Sequence, residues 1–192
     1  MEPKDEPVLA FATQRAWERW LERHHATAPS VWVKVAKRGS GIRSVTRDDA
    51  VESALCYGWI DGQGRSFDES TFLQRFTPRR ARSPWSQINR ERAIELIRLG
   101  RMRPAGLAEV ERAKRDGRWD AAYPGQRTAT VPEDLERELA AHPKAKAFFG
   151  SLDAGNRYAI LHRIQQAKKP ETRARRIEGF VAMLEAGEKL YP

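Results

Sequence analysis

Trp59-Ile-Asp-Gly-Gln-Gly-Arg-Ser-Phe-Asp-Glu-Ser-Thr-Phe-Leu-Gln-Arg-Phe-Thr77 decides the fold class of this 192-residue chain. It has the form of two short strands, the second running Thr71–Thr77, separated by the turn-rich runs Asp61-Gly-Gln-Gly and Asp68-Glu-Ser. Glycine and aspartate between aromatic and β-branched segments predict an antiparallel pair. Working outward, Val31–Arg38 alternates in the manner of a half-buried strand and ends at Gly39-Ser-Gly. Between these strands, Thr46 and Asp49 imitate a capping box and open a helix through Ala50, Ala54 and Leu55 that stops near Gly58. The class that results is α+β: a small antiparallel sheet covered by helices, followed by a C-terminal helical module.

The flanks are helical. After a loose head, Thr13 caps a helix whose Trp17, Trp20, Leu21 and His24 form one apolar stripe. Pro78 ends the hairpin, and Ser83-Pro-Trp-Ser86 supplies helix-start chemistry before an inward face of Ile88, Ala93, Ile94, Leu96 and Ile97, with Gly100 as the stop. A further helix runs from Pro104 to Gly117. Residues 1–118 thus read as one module, 119–131 as an aromatic linker carrying Trp119 and Tyr123, and 132–192 as short helices. The last helix, from Pro170 to Ala186, is the clearest, because Ile177, Phe180, Val181 and Leu184 follow the i, i+3, i+4, i+7 pattern.

Composition narrows the class of function. Apolar residues make up 40% and charged residues 32%, and no apolar run is long enough to cross a bilayer. The opening Met1–Glu6 is acidic and polar with no apolar stretch behind a basic leader, so no secretory signal is read and a cytoplasmic location is expected. The single cysteine, Cys56, and four histidines argue against a disulfide or a structural zinc site, and no metal or cofactor is expected. Each histidine reads as structural, and Cys56 as a small buried thiol. The net charge is +9. Arg75–Arg118 holds 13 basic residues against 5 acidic ones, an excess of eight, which leaves the remainder of the chain at +1. That concentration favours anionic partners, although an arginine-rich composition is also what a GC-rich coding sequence produces.

Several motifs occur in order: Ala54-Leu-Cys-Tyr-Gly-Trp-Ile-Asp-Gly-Gln, Arg75-Phe-Thr-Pro-Arg-Arg, Ser83-Pro-Trp-Ser with Asn89, Gly100-Arg-Met with Pro104-Ala-Gly, Asp116-Gly-Arg-Trp, and the tail Ala167-Lys-Lys-Pro-Glu-Thr-Arg-Ala-Arg-Arg-Ile. With them, roughly residues 45 to 187 resemble the bacterial YdeI/OmpD-associated, or bacteriocin-protection, family. The resemblance implies a protein linked by name to tolerance of bacteriocins and cationic peptides, a form of stress tolerance, and it implies neither a catalytic activity nor a cofactor.

The sharpest site lies within the basic stretch. Arg79, Arg80 and Arg82 precede a helix start, where unpaired N–H groups already present about half a positive charge. A compensating anion is expected there. It is an external phosphate or carboxylate, an acid of the hairpin such as Asp61, Asp68 or Glu69, or nothing but water. Trp59, Trp85, Trp119 and Tyr123 either wall this pocket or belong to the core. The expected ligand-binding set is therefore Trp59, Asp61, Arg75, Arg79, Arg80, Arg82, Ser83, Trp85, Ser86, Asn89, Trp119 and Tyr123, serving non-enzymatic binding of an anionic small molecule. An alternative makes Asp61 a general base for Ser83 or Ser86 in a hydrolase-like reaction. No Gly-x-Ser-x-Gly, His-Glu-x-x-His or phosphate-loop motif accompanies it. A second alternative is weak nonspecific nucleic-acid binding, to which the basic corner Lys168, Lys169, Arg173, Arg175 and Arg176 would contribute.

Overall fold

The computed structural model describes residues 6–192, so Met1–Asp5, most of the acidic opening, lie outside the described residues. These residues form an α+β fold that divides into two compact units, the first ending at Ala122 and the second spanning Tyr123–Pro192. The first unit holds β1 (Val8–Ala10), α1 (Gln14–His24), β2 (Val31–Ala36), α2 (Arg47–Cys56), β3 (Trp59–Ser66), β4 (Thr71–Pro78), α3 (Gln87–Arg98) and α4 (Pro104–Arg115).

The sheet runs in the order β1-β2-β4-β3. The expected hairpin is present as β3 and β4, antiparallel, with Trp59 opposite Pro78 and Ser66 opposite Phe72. Two details differ from the sequence reading. Asp61-Gly-Gln-Gly is not a turn between strands; it lies inside β3, where the register shifts between Asp61 and Gly64. The buried Gln74 explains this, since its Nε2 donates to the carbonyls of Gly62 (2.9 Å) and Gln63 (3.3 Å) and so replaces the ladder bonds that the bulge removes. The supposed loose head contains β1, which pairs parallel to β2 with Leu9 opposite Val33, so the sheet is mixed and not wholly antiparallel.

The helices converge on α2, which touches α1, α3, α4 and β3. Six of its ten residues are buried: Ala50, Val51, Ser53, Ala54, Leu55 and Cys56. A helix contacted by three others and a strand needs small residues where its neighbours approach. Trp17 crosses from α1, and its Nε1 donates to the Ala50 carbonyl at 3.0 Å. The buried Ser53 hydroxyl takes a bond from Gln14 Nε2 and gives one to Glu18 Oε1, both 3.1 Å, which satisfies it. Gly58, at φ +75°, ends the helix and turns the chain into β3. On the far side α4 begins against the last turn of α2. A Cβ added to Gly106 would stand 2.3 Å from the Cys56 carbonyl oxygen and 2.7 Å from that of Leu55, so only glycine permits this approach. One expectation fails on α3: Ala93 and Leu96 are buried, whereas Ile88, Ile94 and Ile97 are 49%, 52% and 38% exposed.

The second unit packs α5 (Glu133–Ala141), α6 (Pro143–Ser151), α7 (Ala154–Gln165) and α8 (Pro170–Glu185) around Leu135, Phe149, Ile160, Ile164, Ile177, Val181 and Leu184. Phe180 is partly buried beside them. Asp153 caps α7 through the Asn156 N–H, and the buried Asn156 side chain pairs with both backbone groups of Tyr191, which pins the C-terminal segment. Asp134 of α5 takes two bonds from the Arg173 guanidinium of α8, the second at 2.8 Å, and this pairing holds the carboxyl of Asp134 below its ordinary range.

Two glycines separate the effects of space and of backbone freedom. Gly106→Ala is expected to lower unfolding free energy by roughly 1–3 kcal/mol, the usual cost of overpacking. Gly179→Ala, within α8 and with nothing near its added Cβ, is expected to raise it by about 0.5–1 kcal/mol. Urea denaturation of the full chain measures both, and equal effects would refute the close packing of α4 on α2.

Candidate functional site

Of the expected arginine cluster, Arg79 belongs to a structural clasp. The Arg79 backbone N–H donates to the Gly58 carbonyl at 3.0 Å, which keeps the end of β4 beside the entrance to β3. Its guanidinium lies over the Trp85 ring at 3.7 Å, Nη1 donates to the Pro84 carbonyl at 3.2 Å, and the residue is only 5% exposed. Trp119 meets Trp85 edge-on with centroids 4.9 Å apart. From the turn after α4, Arg118 Nη1 donates to the Ser83 carbonyl at 2.8 Å while its other nitrogens engage Asp116. Arg90 Nη1 reaches the Trp119 carbonyl at 3.3 Å. The motifs Ser83-Pro-Trp-Ser and Asp116-Gly-Arg-Trp are therefore two halves of one packed stack, with a desolvated cation on an indole at its centre.

The remaining nominated residues have other partners. Ser83 Oγ accepts the Arg80 N–H at 3.0 Å, and Ser86 Oγ caps α3 by accepting the Asn89 N–H at 3.1 Å. Trp59 is buried, its Nε1 donating to the His25 carbonyl at 3.0 Å. Asp61 pairs with Arg47 at 2.7 Å, and it bonds neither Ser83 nor Ser86. Arg75 forms a fork on Glu6, its Nε 2.7 Å from Oε2, and this pairing holds the Glu6 carboxyl below its ordinary value. Tyr123 belongs to the second unit, its ring centroid 4.8 Å from that of His162. Arg80 and Arg82 are exposed and carry no ion pair among the described residues, and Arg115 shares that condition.

A different group of side chains surrounds open space. Where α1 ends and α4 begins there is a cleft of about 350 Å³, lined by Glu22, His25, Tyr57, Arg103, Pro104 and Ala105. Tyr57 is the C-cap of α2 and Arg103 the N-cap of α4, brought together by the contact at Gly106 and by the Arg103 N–H donating to the Cys56 carbonyl at 3.0 Å. Burial pushes the Tyr57 hydroxyl above its ordinary pKa, and its hydrogen bond with Arg103 keeps the guanidinium firmly protonated. His25 Nδ1 donates to the Leu21 carbonyl at 2.9 Å, which leaves Nε2 as the nitrogen without an internal bond. Arg103 provides no side-chain cap, so the first-turn N–H groups of α4 lack a capping acceptor. The Cys56 thiol, behind this wall, is pushed by burial to about 11 and stays a thiol.

Residues 9–109, more than half of the chain, match the family described as Domain of unknown function (DUF8412). The chain belongs to that family. Residues 128–187 match the family described as Bacteriocin-protection, YdeI or OmpD-Associated. The resemblance drawn from the sequence therefore holds, over a shorter span: of the motifs behind it, only the tail from Ala167 to Ile177 lies inside that match. The runs from Ala54 to Gly106 fall in the DUF8412 unit, and Asp116–Trp119 falls between the two matches. No curated protein and no solved structure matches the chain.

In the DUF8412 unit, Tyr57 lies within the run Ala54–Gln63 and Arg103 falls between Gly100-Arg-Met and Pro104-Ala-Gly, and neither was nominated from the sequence. The signal that could have singled them out is positional. Gly58 stops one helix and Pro104 starts another, so the residues beside them are caps. Nothing in the sequence brings Glu22 and His25 to the same place. Among the described residues no group of three or more His, Cys, Asp or Glu side chains could hold a metal ion, and no helix is long and apolar enough to cross a membrane.

The clasp and the exposed cations respond differently to truncation. Arg79→Ala is expected to cost about 2 kcal/mol or more, the scale of a desolvated cation on an aromatic face. Arg80→Ala and Arg82→Ala are expected to stay within about 0.5 kcal/mol of the parent. Chemical denaturation compares them directly, and a neutral Arg79→Ala would dismiss the stack as a structural element.

Proposed function

We propose that this protein, of bacteriocin-protection type and cytoplasmic, acts by binding and not by turnover, and that its first unit takes an anionic small ligand, phosphorylated or carboxylated. The reading moves the binding site from the start of α3 to the start of α4. What carries it is the convergence of Arg103, the Tyr57 hydroxyl and His25 on one cleft at an uncapped helix start. A guanidinium fork matches the spacing of carboxylate or phosphate oxygens, and a phenol kept protonated by burial adds a donor that does not repel an anion. The first turn of α4 contributes N–H groups that carry no side-chain cap. Glu22 lies on the same wall and shares the field of Arg103, so the ligand competes with an internal acid. Exposed Arg80, Arg82 and Arg115 supply long-range attraction for that ligand without holding it.

Calorimetric titration and thermal shift of the full chain with inorganic phosphate and with citrate test this reading. A ligand at a hundred times its dissociation constant stabilises by roughly 2.7 kcal/mol. Arg103→Ala is expected to weaken binding by about 1.5–3 kcal/mol, the contribution of hydrogen bonds to a charged group. Arg80→Ala combined with Arg82→Ala is expected to slow association and flatten its salt dependence while sparing the bound state. Binding that survives Arg103→Ala and disappears in the double variant would return the site to the start of α3.

A further inference from the structure

The second unit carries a separate cleft, about 630 Å³, between α5 and α8. Its floor is apolar: Ala174, Ile177, Val181 and Ala182 line it at i, i+3, i+7 and i+8 along one face of α8. Two pairs close its ends. Asp134 is held by Arg173, and His142 Nδ1 lies 2.8 Å from Glu185 Oε1. Along the rim Glu138 stands on α5 and Glu178 on α8, both exposed and neither with a partner among the described residues. Arg137 is the one unpaired cation on the lining among the described residues. With the Asp134–Arg173 pair cancelled, the rim carries three carboxylates against Arg137 and a histidine.

This sign runs against its surroundings. Residues 123–192 hold 12 Lys and Arg against nine Asp and Glu, a net of +3, yet the groove is acidic. Surface acids scattered at random would be diluted by that excess. Here they line both walls of an apolar trough, with Glu178 and Glu185 seven residues apart, two helical turns or about 10.5 Å. We propose that the α5–α8 groove receives a cationic amphipathic helix. The helix lays its apolar face on the exposed Ala174 and Ala182, over the nearly buried Ile177 and Val181, with Lys or Arg at two-turn spacing against Glu178 and Glu185 and a further cation against Glu138. This is the helix-in-groove mode, in which apolar anchors supply affinity and flanking charges supply orientation and partner choice.

Three fluorescein-labelled synthetic peptides of about 18 residues, five helical turns, provide the probe. One is a Leu/Lys amphipathic helix, one a scramble of the same composition, and one a Leu/Glu helix of the same pattern. Fluorescence anisotropy against the full chain is expected to show saturable binding of the Leu/Lys helix alone. The exposed pair Glu138→Lys and Glu178→Lys is expected to weaken that binding by about tenfold or more and to admit the Leu/Glu helix, while circular dichroism and melting temperature stay those of the parent. Equal binding of the scramble would overturn the proposal, since it would mean attraction by charge without the apolar floor. Equal binding of the Leu/Lys helix by parent and variant would overturn it too, as would its complete displacement by spermidine at concentrations that leave the peptide folded, which would assign the acids to a small polyamine.

Discussion

Gly106 lies against the last-turn carbonyls of Leu55 and Cys56 so closely that no side chain fits between them. Helix C-terminal carbonyls lack intrahelical donors, and here one finds the Arg103 N–H. The negative end of α2 thus meets the positive end of α4, a favourable juxtaposition of helix dipoles. The rest of the first unit depends on this approach. It lets most of α2 be buried, it sets Gly58 where the chain must turn into β3, and it carries Trp59 beneath α1 to bond the His25 carbonyl. The cleft is a by-product of the same contact, because the two caps that wall it, Tyr57 and Arg103, flank the point of closest approach.

The basic stretch Arg75–Arg118 shows how a large charge excess is absorbed by a fold. Arg75 takes Glu6, Arg92 takes Asp48, and Arg101 takes Glu18 and Glu52, so acids far away in sequence supply much of the neutralisation, while Arg112 takes Glu109 one turn away on the same helix. Arg79 uses the other route, stacking on an indole and bonding a main-chain carbonyl, where a planar, weakly hydrated cation is tolerated in a nearly dry place, and Arg118 combines the two, bonding the Ser83 carbonyl and Asp116. The few cations left exposed shape the external field of the unit, while those inside bind its loops together.

The two units thus present clefts of opposite character. The first offers a guanidinium, a phenol and an imidazole at a helix start; the second offers carboxylates over an apolar trough. Each arises from helix ends and faces that the local core leaves open. Neither is lined by the tryptophans, because the large rings are consumed by the interior: Trp17, Trp59 and Trp85 are each at most 2% exposed.

The sequence by itself determined the elements and their punctuation. Thr13 and Thr46 cap the helices expected of them, Ser86 caps one from within the expected Ser83–Ser86 start, Gly58 and Gly100 stop theirs in the left-handed conformation, and the hairpin from Trp59 places the chain in the α+β class. These are local matters, settled by side chains a few residues from the backbone they satisfy. Tertiary structure alone decided the rest. Val8–Ala10 is a strand only because β2 offers an edge, Asp61-Gly-Gln-Gly is a bulge only because Gln74 reaches across to it, and Ile94 faces outward because Ala93 and Leu96 already fill the contact with the core. Of the arginines that stand together in one dimension, Arg75 pairs with Glu6, 69 residues away, and Arg79 stacks on Trp85, while Arg80 and Arg82 stay exposed; the cleft is built from caps separated by 46 positions in the chain. Charge and shape at such sites are sums over distant neighbours, which local spacing does not encode.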